Sequence, residues 1–196
     1  MQMADTNNAT PMPEADKQDA WILAVTAPGQ IYLGTQAVTA DQLVDELKSK
    51  PRNRQAKLYI KADARSPYAK VKSALQAAKV LMFDDAVLLT KQPESPALGM
   101  MIPPKGLDVL LSAPGSAETV SLTVSSSGTN APELKVNGSP VTVGHLQTAL
   151  NQALNKHTNK MVTVSADPQL SFAQVVHVID AVRSLGAQVV LPTAEM

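Results

Sequence analysis

Few side chains in this sequence have the type and spacing that chemistry requires. The three histidines, His145, His157 and His177, lie 12 and 20 residues apart, unlike HExxH or any compact ligand spacing. His145 falls at a helix start, His157 in the polar loop 155–160, and His177 on the exposed side of a helix, so no metal site is expected. With no cysteine, a disulfide, a thiolate nucleophile and a thiolate metal site are all excluded. There is no GxSxG elbow, no Walker A loop and no GxGxxG, and the nine glycines are scattered at turns. Asp63 and Asp167 occupy equivalent positions after a strand. A carboxylate dyad is conceivable there, but a loop Asp tying backbone N–H groups before the next helix is the better reading. Ser125-Ser126-Ser127-Gly128 reads as a hairpin tip. The expectation is therefore no catalytic residue, no metal, no cofactor and no enzyme.

Charge and hydropathy point the same way. Seventeen basic and seventeen acidic residues cancel, so the concentrated positive field of a nucleic-acid binder is missing. The local cluster Lys48-Ser49-Lys50-Pro51-Arg52-Asn53-Arg54 reads as a solvated helix end and loop, with Lys favourable at the C-terminal dipole. Aromatics make up only 3% of the chain, so its core must be built from Val, Leu, Ile, Ala and Met. No run approaches the roughly 20 apolar residues that span a bilayer. Residues 1–19 are polar, lack the basic and apolar regions of an export signal, and are expected to be disordered or extended.

What positions these residues is an internal repeat. Val38-Thr39 recurs as Val141-Thr142, and Leu43 and Leu47 as Leu146 and Leu150, at a shift of 103. At a shift of 104, Ala62-Asp63 matches Ala166-Asp167, Tyr68 matches Phe172, Val71 matches Val175 and Leu81 matches Leu185. Val87-Leu88 and Thr90 then match Val190-Leu191 and Thr193. A tandem duplication explains matches that keep both order and hydrophobic character.

Each copy predicts β-β-α-β-α-β. In the first, Trp21–Thr26 and Gln30–Leu33 flank a hairpin turn at Ala27-Pro28-Gly29. Thr39 and Gln42 can form a capping box ahead of the apolar stripe Leu43, Val44, Leu47. Lys57–Lys61 alternates as a strand, Ser66-Pro67 opens a helix with Ser as its cap, and Ala86–Leu89 closes the unit. The second copy repeats this with Val120–Val124, Glu133–Val136, a helix from Thr142, Met161–Val164, a helix from Ser171, and Gln188–Leu191. The expected fold is α+β: two tandem two-layer domains, each with two helices on one face of a small, mostly antiparallel sheet. Boundaries fall at 20–93 and 118–196, with 94–117 connecting them. Within that connection Leu107, Val109 and Leu111 alternate with Asp108 and Leu110, which predicts a strand over 106–111.

Ile60-Lys61-Ala62-Asp63-Ala64-Arg65-Ser66-Pro67-Tyr68, followed by a helix with Val71, resembles the signature of the ExbD/TolR family. Gly29-Gln30-Ile31-Tyr32-Leu33-Gly34, and Val38-Thr39 with Leu43, are similar to its hairpin and first helix. Pro103–Leu111 is similar to the family's segment just after the transmembrane helix. The resemblance covers about 21–93 and 103–193; the second copy lacks the Arg and has Phe172 for Tyr. It implies the periplasmic side of the bacterial inner membrane and a biopolymer transport role powered by protons. It also implies an ExbB/TolQ-like channel partner, a TonB/TolA-like partner, and binding to peptidoglycan as the alternative. The family's transmembrane Asp has no counterpart here. Met1-Gln2-Met3 ahead of polar residues points to an artificial start made by removing a helix. Asp63, Arg65, Leu107, Asp108, Val109, Leu110 and Leu111 are the candidate partner-binding residues, and the two copies are expected to pair as an intramolecular pseudo-dimer.

Overall fold

A computed structural model describes residues 1–49, 57–91, 103–112, 119–127 and 131–193. Lys50–Arg54 of the basic cluster and Gly128 of the serine-rich tip lie outside the described residues. The first half runs β2 (Trp21–Val25), β3 (Ile31–Leu33), β4 (Gln36–Val38), α1 (Ala40–Ser49), β5 (Leu58–Ala62), α2 (Tyr68–Val80) and β6 (Asp85–Thr90). The second runs β8 (Val120–Ser125), β9 (Glu133–Val136), β10 (Ser139–Val141), α3 (Leu146–Leu154), β11 (Met161–Ala166), α4 (Phe172–Arg183) and β12 (Gln188–Pro192). Ahead of the first half stands β1 (Thr10–Pro11), and between the halves stands β7 (Lys105–Ser112), which contains the 106–111 segment.

Each half therefore carries one strand more than β-β-α-β-α-β. The extra strands, β4 and β10, arise from a second tight turn. In the second half this is Asn137-Gly138, both at positive φ (49° and 82°), the residue pair a type I′ hairpin demands. Gly34, at φ 64°, turns the first half at the matching place.

The sheet is mixed, not mostly antiparallel. β5 lies parallel between β2 and β6, and β11 parallel between β8 and β12. The cause is the helices: a strand–helix–strand crossover returns the chain in the same direction. The two small sheets also merge. Strand order is β10-β9-β8-β11-β12-β7-β6-β5-β2-β3-β4, which reads as the same order from either end about β7. β7 pairs antiparallel with β6 along one edge, and along the other it pairs parallel with β12 and antiparallel with β1.

One face of this sheet and all four helices share a single apolar core that runs through both halves. It includes Leu23, Leu58, Ile60, Tyr68, Val71, Leu107, Val109, Leu122, Val164, Phe172, Ile179 and Leu191. On the other face Met12 and Ala15 cover Tyr59, Val87 and Leu89, while Ala4 and Ala9 pack against the core shared by both halves. Capping follows the repeat only in part. Thr39 and Gln42 exchange the bonds of a capping box, as do Ser171 and Gln174. Ser66 does not cap α2. The N-cap is Pro67, and the buried Ser66 hydroxyl has no hydrogen-bond partner.

The repeat also exposes a local strain. α4 ends through Gly186 at φ 69°, the left-handed position glycine favours, whereas the equivalent Met82 ends α2 at φ 60°. Met82 is 80% exposed, so its side chain contributes little packing to offset the Cβ clash. Met82→Gly is expected to raise stability by about 0.5–1 kcal/mol in urea titrations. A loss would show that the two helix ends are not equivalent.

Candidate functional site

The candidate residues fall into two separate groups along the joint of the halves, Asp63 with Arg65 in the loop after β5 and residues 107–111 on β7. β5 hands the chain to Asp63, whose N–H donates to the Val25 carbonyl at 2.8 Å. Its carboxylate is 1% exposed and accepts from Arg65 Nε (2.9 Å), Arg65 Nη2 (3.1 Å), the Arg65 N–H (3.0 Å) and the Gln2 N–H (2.9 Å). The Arg65 fork holds this carboxyl well below the usual carboxylate range, against the opposing effect of burial, with the Gln2 and Arg65 N–H groups adding to it. Arg65 itself stays largely exposed, so the lid over Asp63 is thin and charged.

Asp167 plays the same structural part with less help. Its N–H donates to the Val124 carbonyl, and its carboxylate accepts from the Gln169 N–H at 2.9 Å and the Ser126 N–H at 3.4 Å. Gln169 stands where Arg65 stands in the first half. Both aspartates thus tie down backbone donors ahead of a helix, and they do not converge as a catalytic pair.

The two aspartate loops dock onto each other through the main chain. The N–H groups of Tyr68 and Ala69, in the first turn of α2, donate to the carbonyls of Leu170 and Pro168 at 2.8 and 3.0 Å. In return the N–H groups of Phe172 and Ala173 donate to the carbonyls of Ser66 and Ala64 at 2.9 and 3.0 Å. Pro67 and Ser171 form the antiparallel bridge between them. Each helix thereby satisfies first-turn donors, which no residue of its own helix can accept, on carbonyls of the other half. This replaces the capping that Ser66 was expected to supply. No local signal could have revealed it, because the partners are about a hundred residues away.

β7 divides the other candidates by face. Leu107, Val109 and Leu111 are buried in the core on the helix side. Asp108 and Leu110 point the other way and are half-buried. Lys57 Nζ sits 2.7 Å from Asp108 Oδ1 and 3.9 Å from Asp85 Oδ2, linking the start of β5 to β6 and β7, and the Asp108 carboxylate raises its pKa. The pair is over a third exposed, so its worth is at most about 1 kcal/mol. With strands along both its edges, β7 leaves side chains rather than unpaired backbone accessible.

Matching shallow grooves lie at the two outer ends of the sheet, lined by Ile31, Ala37, Val38 and Thr39 in one half and by Leu134, Pro140, Val141 and Thr142 in the other. His145 and His177 are exposed, His157 is half-buried, and no cluster among the described residues has three His, Cys, Asp or Glu placed to hold a metal ion.

The Asp63–Arg65 contact sets a pH dependence. Its folded-state pKa lies below the unfolded value, so the stabilisation is complete above about pH 4 and is lost as pH falls toward the folded value. The wild-type urea midpoint should fall below about pH 4, and Asp63→Asn should lower the neutral-pH midpoint and flatten that acid decline. Parallel declines in the two proteins would contradict the geometry.

The family model for biopolymer transport protein ExbD/TolR matches the chain twice, over residues 1–93 and 90–195. No curated protein and no solved structure matches it.

Proposed function

The chain belongs to the biopolymer transport protein ExbD/TolR family, in two tandem copies, and on that premise we propose that it is the periplasmic portion of a proton-motive-force-driven, envelope-energising subunit that acts by binding proteins. The family generally works with ExbB/TolQ and TonB/TolA partners, and its members are anchored in the inner membrane with a periplasmic domain. No described helix of this chain is long and apolar enough to cross a membrane. The units are 20–93 and 118–196, with 94–117 joining them. They form an intramolecular pseudo-dimer that takes the place of a pairing between two chains.

The observation that carries this reading is the strand order, identical from either end about β7. The two copies stand as two subunits would across a dyad, and their aspartate loops exchange helix-terminal hydrogen bonds reciprocally. Small units of about 75 residues bury a limited core each, so pairing stabilises both. The outward-facing groups at the joint, Arg65 with its buried Asp63, and Asp108 and Leu110 on β7, are the partner contacts of this reading.

Photo-crosslinking residues placed at Arg65 and at Leu110 test it in cells. The expected adduct is a TonB/TolA-like or ExbB/TolQ-like protein, and its yield should change when the proton motive force is dissipated. Adducts only to peptidoglycan would favour a wall-binding module, and no adduct at either position would overturn the protein-binding role.

A further inference from the structure

Residues 2–12 cross the joint as an extended strap. The Gln2 N–H donates to Asp63 Oδ2 at 2.9 Å, and the Gln2 carbonyl accepts from the Ala64 N–H at 2.7 Å. The Ala4 carbonyl accepts from the Lys91 N–H, and the Thr6 N–H donates to the Lys91 carbonyl, at 2.9 and 3.0 Å. The Thr6 and Thr90 hydroxyls share a hydrogen bond at 2.7 Å. The strap then passes to the second half. Both Asp180 carboxylate oxygens accept from the consecutive N–H groups of Asn7 (3.0 Å) and Asn8 (2.8 Å), and Asn8 Nδ2 donates to the Asp180 carbonyl of α4. Thr10 and Pro11 finally pair with Gly106 and Lys105 of β7, and the Met12 N–H donates to the Pro104 carbonyl.

Two features of this contact matter. The recognition is mostly of main chain, with side-chain bonds from Thr6, Asn8 and Thr10, and is spread over the first half, the second half and the strand between them. From Gln2 to Ala9 the side chains it buries are small, Ala4, Thr6 and Ala9, at 2%, 2% and 8% exposure, and the larger Met12 is buried only where the strap ends. A segment held by backbone bonds with little apolar area is exchangeable, because any extended peptide presents the same donors and acceptors.

We propose that the track formed by Asp63, Lys91, Asp180 and the start of β7 is a peptide-binding site, occupied here by the chain's own N-terminal strap, which an extended partner segment enters by displacing it. The segment it takes has small residues where Ala4, Thr6 and Ala9 stand, and two consecutive N–H-bearing residues over Asp180. Proline is excluded at those two positions and at Thr6. This rests on the protein-binding reading above and specifies its surface: Asp63 is shared, and the track extends the contact across both copies.

A tethered strap competes at an effective concentration in the millimolar range, so the test must weaken the strap and leave the track intact. In the full chain, Thr6→Pro with Asn8→Pro removes the donor to Lys91 and both Asn8 donors to Asp180, leaving only the Asn7 N–H there, and alters no track residue. A fluorescent peptide of wild-type residues 1–12 should bind this variant at least tenfold more tightly than it binds the wild-type chain. The same peptide carrying both prolines should bind neither. A cooperatively folded variant that binds the wild-type peptide no better than the wild-type chain does would overturn the proposal. Hydrogen exchange on the unmodified chain supplies an independent check. The Thr6, Asn7, Asn8 and Lys91 amides should exchange at least a hundredfold faster than those of Val109 and Leu111, because the strap opens locally. Exchange of all of them only through global unfolding would make the strap a fixed part of the fold and sink the idea. Crosslinks to a partner at Arg65 with no peptide binding would remove this inference and leave the protein-binding role standing. Peptide binding with no crosslinked partner would do the reverse.

Discussion

Val109→Pro is expected to cost at least about 3 kcal/mol and to lower the urea midpoint more than any other single substitution in β7. The reason is the strand's position between the halves. The Leu111 N–H donates to the Asp84 carbonyl, so two residues back the Val109 N–H points to the same side, toward Ala86. Its opposite edge is paired with Val189 of β12. Proline removes the donor toward β6, and its ring intrudes between strands that have neighbours on both sides. Val109 is also 1% exposed, so its packing is lost with the hydrogen bond. A slack tether would tolerate the change. An unaltered midpoint would therefore mean that β7 does not join the two halves in solution.

Truncating Phe172 is the second large effect. The ring is 0% exposed in the shared core, with Val175 and Val176 on its own helix buried alongside. Phe172→Ala should cost about 3–5 kcal/mol, the range for a fully buried aromatic whose cavity cannot collapse. Tyr68, its counterpart at the head of α2, is 3% exposed, and burial pushes its phenol above the ordinary tyrosine range. Tyr68→Ala should fall in the same range, and the two losses should not add, because the two helix heads dock on each other. Either loss below about 1 kcal/mol in denaturant melts, with partner binding abolished, would make that ring a recognition element instead.

Much of this arrangement is legible in residue types and spacing. Hydrophobic periodicity locates the helices α1 to α4, because Leu43 and Leu47, or Val175 and Ile179, recur on one face. The alternation at 107–111 likewise sorts β7 by face, since Leu107, Val109 and Leu111 are the buried three. The third strand of each half had a local signal in Asn137-Gly138, the strongest short hairpin pair, and in Gly34. Strand direction was harder: short apolar runs do not reveal whether a crossover helix has made their neighbours parallel. The joint is the least legible part. Asp180 sits in a helix pattern with nothing to mark it as the clamp for Asn7 and Asn8, some 170 residues away. Ser66 reads as a cap by type, yet the helix it precedes draws its acceptors from Pro168 and Leu170. Contacts that depend on how two folded halves meet leave no trace in spacing along the chain.

The pairing of two copies within one chain is tested most directly by the mass of the folded protein in solution. Sedimentation equilibrium across a wide concentration range should return a single species at the chain mass of 20.7 kDa. The first copy already meets its counterpart across β7, and their helix heads have already exchanged hydrogen bonds. A stable dimer of chains at all concentrations would contradict this, because it would mean that each copy finds its partner in a second molecule.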